Sequence, residues 1–175
     1  FIDSILVNRA ATSPIPTIMS DALSSNKQTA VAAAIQTLCN SHARRQFVDV
    51  ISHFPDEVEH ILERYGKIWT NEHETQDSDL TPTQRLAYHQ KHSLPIMKEI
   101  EEWGKAHLRN ETVEENSGLG KAICYFINHY EGLVSFCVIE GAKLDNNEIE
   151  SMLKIIVRDR KNAMFKKTLH GATIG

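Results

Sequence analysis

Two acidic residues, each followed by polar or basic neighbours that its own element does not require, are the groups in this chain best set to do chemistry. Asp21 comes after Ile15 to Met19 (IPTIM), a short apolar run that starts among Pro14 and Pro16. Such a run reads as a buried strand, and the C-terminal ends of strands are where open α/β sheets place their sites. Asp21 equally suits a turn, or the N-cap of a helix starting near Asn26, and both readings stand. Glu150 lies in LDNNEIESMLKIIVRDRKNAMF, residues 144–165. There Asp145 is a good N-cap, and Glu148 completes a capping box. Ile149, Met152, Leu153, Ile156 and Val157 form an apolar stripe, which leaves Asn147, Glu150, Lys154 and Arg158 on another face. That face is either solvated, with a Glu150–Lys154 pair at i,i+4 contributing a few tenths of a kcal/mol, or a site in which a carboxylate precedes two cations by one turn.

Cys and His pairs at metal-ligand spacing are few. Cys39 and His42 form a C-x-x-H pair, but no second pair follows at zinc-finger spacing, so structural zinc is not expected. His89 and His92 stand at i,i+3 on a polar helix without nearby carboxylates and are expected at the surface. Cys124 and Cys137 sit among Ile123, Phe126 and Phe136 and are expected in the core. Three widely spaced cysteines do not make a disulfide framework, and we expect them reduced.

Composition bounds the setting. The chain has 175 residues, 41% hydrophobic and 24% charged, enough to build an ordinary globular core. The net charge of −4 argues against a uniformly basic surface, but it is unevenly placed. Lys154, Arg158, Arg160, Lys161, Lys166 and Lys167 face only Asp159 in residues 154–167, making that stretch +5 and the remainder −9. No apolar run approaches the roughly 20 residues that span a bilayer, and the start has no signal-peptide pattern, so a soluble cytoplasmic protein is expected. A first residue that is Phe1 rather than Met, and an end at Gly171 to Gly175 without a closing element, lead us to expect a piece of a longer protein.

The elements that would position these groups are mostly helical. Ile2, Ile5 and Leu6 predict the end of a helix over Phe1 to Arg9. Asn26 to Leu38 is alanine-rich and helix-prone, with a change to strand near Gln36 to Cys39. CNSHARRQF, residues 39–47, starts a helix running towards His53. Val58, Ile61, Leu62, Tyr65, Ile68 and Trp69 follow the helical rule, and Asn71 to Asp79 reads as a polar connection. Thr81 with Pro82 and Ser93 with Pro95 each begin a helix. Ser117 caps another that puts Leu119, Ala122, Ile123, Phe126, Ile127 and Tyr130 on one face. Leu133 to Ile139 (LVSFCVI) fits strand or helix.

The segment DNNEIESMLKIIVRDRKNAMF followed by TLHGATIG resembles the C-terminal catalytic part of the insertion sequence sixty-six transposase family, which shows DNN, two residues, E, then a basic helix and RKN before an aromatic. Asp145-Asn146-Asn147, Glu150 and Arg160-Lys161-Asn162 fit in order. SDALSSN (20–26), HARRQF (42–47) and NSGLGKA (116–122) also resemble family blocks, so the resemblance spans nearly the whole chain. One departure is Ser151, where many members carry Arg after the glutamate; it puts a DNA contact in doubt but no metal ligand.

The resemblance implies an α/β, RNase H-like (integrase-type) core fragment with a large all-helical insertion, mostly α in this chain. Residues 1–54 would be partial core, 55–115 the insertion, and 116–175 the core's return with the glutamate helix and basic segment. It implies DDE chemistry, in which three carboxylates hold Mg²⁺ or Mn²⁺ for cleavage and strand transfer at transposon ends. Asp21 and Glu150 would be two of the three. Asp3 cannot be the first, because the 18 residues to Asp21 cannot hold the strands and helix required between them, so the first is expected upstream and the chain alone inactive. Arg44, Arg45, Lys154, Arg158, Arg160 and Lys161 are candidates for DNA phosphates or for a solvated face. Asn146, Asn147 and Asn162 would order the site or serve turns and caps. DNA, as transposon end and target, would be the partner, within a homo-oligomer of the full-length bacterial protein acting at the nucleoid. The other reading keeps the fold without the chemistry: an inactive remnant, or a helical module that binds DNA or protein.

Overall fold

The computed structural model describes residues 15–22 and 34–147. The predicted helix over Phe1 to Arg9, most of the Asn26 to Leu38 segment and everything from Glu148 onward lie outside them. The chain divides into two units, Phe1–Asp145 and Asn146–Gly175, and of the second only Asn146 and Asn147 are described.

In the first unit the short apolar run forms β1 (Thr17–Ser20), and the chain returns as β2 (Ile35–Leu38), where the change to strand was expected. The two strands are parallel, with Thr17 opposite Ile35 and Ser20 opposite Leu38, so their carboxyl ends are level. Then come α1 (Asn40–Val48), α2 (Pro55–Asp77), α3 (Pro82–His92), α4 (Leu94–Arg109), α5 (Gly118–Asn128) and α6 (Tyr130–Leu133). A 3₁₀ turn follows at Val134–Cys137. The unit is therefore mostly helical, as expected. The ambiguous Leu133 to Ile139 stretch is helical in character, and the helix from Asn40 stops at Val48, short of His53.

Amphipathic spacing builds the core. Val58, Ile61, Tyr65 and Ile68 of α2, Met97 and Ile100 of α4, and Leu119, Ile123 and Phe126 of α5 join Phe47, Leu133, Phe136 and Leu144 in one buried cluster. Helix starts obey local chemistry. The Thr81 hydroxyl accepts the Gln84 amide proton while the Gln84 side chain accepts from the Thr81 amide, a capping box with Pro82 behind it. Ser117 accepts from the Gly120 amide at the start of α5. Cys137 is buried as expected, whereas Cys124 is partly exposed, with its thiol towards Glu115.

Two further expectations need correction, and one physical cause covers both. Asn71 to Asp79 is not a connection, because α2 continues to Asp77. His89 is not a surface residue, because it is fully buried. The polar residues ending α2 face polar partners. The Asn71 amide donates to the Ser93 hydroxyl (3.1 Å), which lies 2.9 Å from His89 Nδ1. His89 Nε2 lies 2.7 Å from Glu72 Oε2, and since a carboxylate only accepts, that nitrogen carries the proton. Arg85 donates to the same Glu72 oxygen at 2.7 Å and to the Ala142 carbonyl at 2.7 Å. Phe136 closes the group edge-on to His89, with ring centroids 5.1 Å apart. His92 is exposed and stacks on Tyr88.

Burial alone would raise the Glu72 carboxyl, but the hydrogen bonds and charges of His89 and Arg85 outweigh it and bring it down to about 2. A carboxyl depressed on folding contributes stability that is present above its unfolded value near 4.5 and is lost as pH falls towards 2. Glu72 is only 14% exposed, so the contribution is on the order of 2–3 kcal/mol. Glu72→Gln is therefore expected to lower the urea midpoint at pH 7, and the gap to wild type to close between pH 4.5 and 2 when midpoints are measured across that range. Glycines give a prediction of opposite signs. A Cβ at Gly120 would stand 2.2 Å from the Glu114 carbonyl oxygen and 2.6 Å from that of Glu115, whereas at Gly66, exposed on α2, it would meet nothing within 4 Å. Gly120→Ala should cost about 2 kcal/mol or more, while Gly66→Ala should add roughly 0.5–1 kcal/mol of helix propensity; thermal melts of the two variants check both.

Candidate functional site

The level carboxyl ends of β1 and β2 form the end of the sheet that matters here. Asp21 follows β1 directly, where the sequence placed it, and is partly buried. The Cys39 amide donates to the Ser20 carbonyl (3.1 Å), which fixes the residue before Asp21 against the residue that starts α1. Tyr125 of α5 lies within the electrostatic reach of Asp21. Burial, then the negative charge of Asp21, then Cys39, push its phenol above the ordinary range.

Asn40 is completely buried at the first position of α1. Its backbone amide donates to the Leu144 carbonyl (3.1 Å), and its side-chain amide donates to the carbonyls of Leu133 (2.9 Å) and Leu144 (3.2 Å). The next residue continues the seam, because the Ser41 hydroxyl donates to Asp145 Oδ2 at 3.0 Å. The Trp69 indole N–H donates to the same oxygen at 3.0 Å, and Trp69 itself leans on Tyr65 at 5.4 Å. Three consecutive residues, Cys39, Asn40 and Ser41, thus hold both the end of β1 and the Leu144–Asp145 segment.

A groove of about 690 Å³ opens beside this end, lined among others by Ser20, Ala22, Leu38, Asn128, His129 and Tyr130. His129 packs on Tyr125 with ring centroids 4.5 Å apart. Arg44 and Arg45 lie on α1 with exposed side chains, Arg45 in the last turn, where a cation also complements the helix dipole. Of the other sequence candidates, Asn146 and Asn147 are the last described residues, Asn147 in helical conformation. Glu150, Lys154, Arg158, Arg160, Lys161 and Asn162 lie outside the described residues.

The sequence reading missed Asn40, Ser41, Trp69 and Tyr125, and gave Asp145 only a capping role. The one available signal was an apolar-then-polar change at Leu38 to Ser41; nothing local pointed to partners about a hundred positions away. Among the described residues no group of three or more His, Cys, Asp and Glu is placed to hold a metal ion. Nor is any described helix long and apolar enough to cross a membrane.

Comparison with known proteins gives the context. Residues 3–174 match the profile described as Transposase IS66 family. The chain is 31% identical over 137 residues to Uncharacterized protein y4jD of Sinorhizobium fredii, covering 76% of this chain and 25% of that protein. It is 26% identical over 147 residues to Uncharacterized protein y4hP of the same organism, covering 77% of this chain and 26% of that one. The chain therefore spans about a quarter of the length of these curated relatives. No solved structure matches it. Matched by the family profile from its third residue almost to its last, the chain belongs to the IS66 family of transposases.

Proposed function

We propose that this chain is part of the catalytic domain of a DDE transposase, with Asp21 and Glu150 as two of its three metal-holding carboxylates. The observation that carries the reading is the place of Asp21 at the carboxyl end of a parallel strand, in a chain matched to the family over residues 3–174. A second feature supports it: the seam at Cys39 to Ser41 fastens Leu144 and Asp145 at that same end, and Glu150 follows five residues later in the sequence.

Carboxylate oxygens are the hard donors that Mg²⁺ and Mn²⁺ take. Among the described residues Asp21 offers one such donor; Glu150 would supply the second, and an aspartate from a strand preceding this chain the third. That strand would lie beside β1 and complete an RNase H-like core, since two strands alone make a marginal sheet. When bound, the ions supply activation of the attacking oxygen and stabilisation of the leaving one. The chain's own residues do the remaining work. Asp21 is held by the strand end, Arg44 and Arg45 are exposed for phosphate oxygens, and Lys154, Arg158, Arg160 and Lys161 extend that basic set along the sequence. Asn146, Asn147 and Asn162 would order the turn and helix around Glu150. The insertion, residues 55–115, carries fourteen acidic against seven basic residues. A face of that sign repels duplex phosphates, which favours a buttress for the core, or contact with a second subunit, over a grip on transposon ends. Without the upstream aspartate this chain by itself does not cleave.

The test uses the full-length protein, Mg²⁺ or Mn²⁺, and duplex DNA bearing the element's ends. Wild type is expected to nick at the ends. Glu150→Gln and Asp21→Asn should each reduce the rate by roughly 10³-fold or more while end binding in a gel shift persists. Cleavage that survives Glu150→Gln within ten-fold would overturn the assignment, and binding without cleavage by wild type would favour an inactive remnant.

A further inference from the structure

We propose that Asp145 is a positioning residue, an anchor from which the segment carrying Glu150 departs, and that Ser41 and Trp69 are the groups that fix it. The proposal rests on the catalytic reading of Glu150 given above and deepens it.

A chain leaving a buried core needs a defined exit if residues a few positions on are to be placed to within a fraction of an ångström. Leu144 is buried in the apolar cluster, and its carbonyl accepts two hydrogen bonds from Asn40. One residue later Asp145 accepts from Ser41 and from Trp69 on a single oxygen, both at 3.0 Å. The donors come from different elements. Ser41 stands in the first turn of α1, and Trp69 lies midway along α2, packed against Tyr65. Two donors from separate elements restrain a carboxylate oxygen more than one does, because moving it breaks two bonds instead of one. The same short stretch of α1 that fixes Asp145 is joined through Cys39 to Ser20, next to Asp21. Ser20, next to Asp21, and Asp145 are thus both tied to the residues at the start of α1. Trp69 is half-buried with its ring packed against the apolar core, and its indole N–H is met by the Asp145 carboxylate.

The anchor acts through hydrogen-bond acceptance, so an asparagine should replace Asp145 and an alanine should not. In the full-length transposase, amide hydrogen exchange over residues 146–153 and the Mn²⁺ concentration at half-saturation, read by calorimetry as well as by cleavage, are measured for wild type and variants. Asp145→Ala is expected to speed exchange in that window and raise half-saturation by about ten-fold, the size usual for loss of a group that orients a metal ligand. Asp145→Asn should return both to within about two-fold of wild type, and Trp69→Phe, which removes one donor and keeps the ring, should fall between. If Asp145→Ala does not fold, Trp69→Phe and Ser41→Ala carry the test through the same two readouts. Wild-type exchange and wild-type metal dependence in the variants overturn the proposal, as does an Asp145→Asn variant as impaired as the alanine, which would make the charge itself the functional feature. Glu150→Gln separates the two levels. If it leaves cleavage intact, the catalytic reading falls; if it abolishes cleavage while the Asp145 variants behave as wild type, only the anchor falls.

Discussion

An amide N–H₂ group buried away from water needs acceptors inside the protein, and those of Asn40 lie 93 and 104 residues further along the chain. Its side chain spans the carbonyls of Leu133, the last residue of α6, and of Leu144, in the loop that follows the 3₁₀ turn. Losing the side-chain amide would remove the bond to Leu133 and one of the two bonds that the Leu144 carbonyl accepts, at a cost of roughly 1 kcal/mol each. The stronger consequence is geometric. β1 and β2 are only four residues each, too little sheet to hold its own end in place. The strand ends are located because α1 begins there on a residue tied to the far side of the domain. The placement of Asp21, the course of Leu144 and Asp145, and the contact of β2 with the last helices all follow from that tie.

The helical body is fixed by a different device. Apolar stripes bring α2, α4 and α5 together, but an apolar interface alone tolerates sliding by a fraction of a turn. The chain of donors and acceptors from Asn71 through Ser93, His89 and Glu72 to Arg85 and the Ala142 carbonyl tolerates none, since a shift breaks several bonds in a setting where each unpaired group is costly. It reaches from α2 across α3 to the start of α4 and on to the loop before Leu144. Core packing supplies the adhesion and the polar chain supplies the register.

What could be read from the sequence divides along the range of the forces involved. Capping at Thr81 and Ser117 and the stripes of α2, α4 and α5 are local, spaced within one or two turns, and they were legible. The strand before Asp21 was legible for the same reason: an apolar run bounded by prolines and a polar end. The end of α2 was not, because a polar helix face looks like a connection unless its partners are known. His89 was placed at the surface because its carboxylate, Glu72, is seventeen positions away on another helix. Leu133 to Ile139 is apolar except for Ser135, so periodicity could not separate strand from 3₁₀ turn. In the candidate site, the place of Asp21 after a strand was legible, whereas Asn40, Ser41 and Trp69 have ordinary local surroundings, and only the folded chain brings them together. Asp145 shows the limit most directly: its neighbours in sequence suggest a cap, and its neighbours in space add an anchor.

The polar chain within the helical body also bears on how this family's sequences diverge. Asn71, Glu72, Arg85, His89 and Ser93 satisfy one another in series, so replacing any one leaves the next with an unmet demand. A half-exchanged set leaves a buried polar group unpaired and is less stable than either the full polar chain or an apolar group of similar volume, so single replacements are disfavoured. Distant relatives should therefore fall into discrete classes at these five sites, even where the surrounding helices have changed residue by residue.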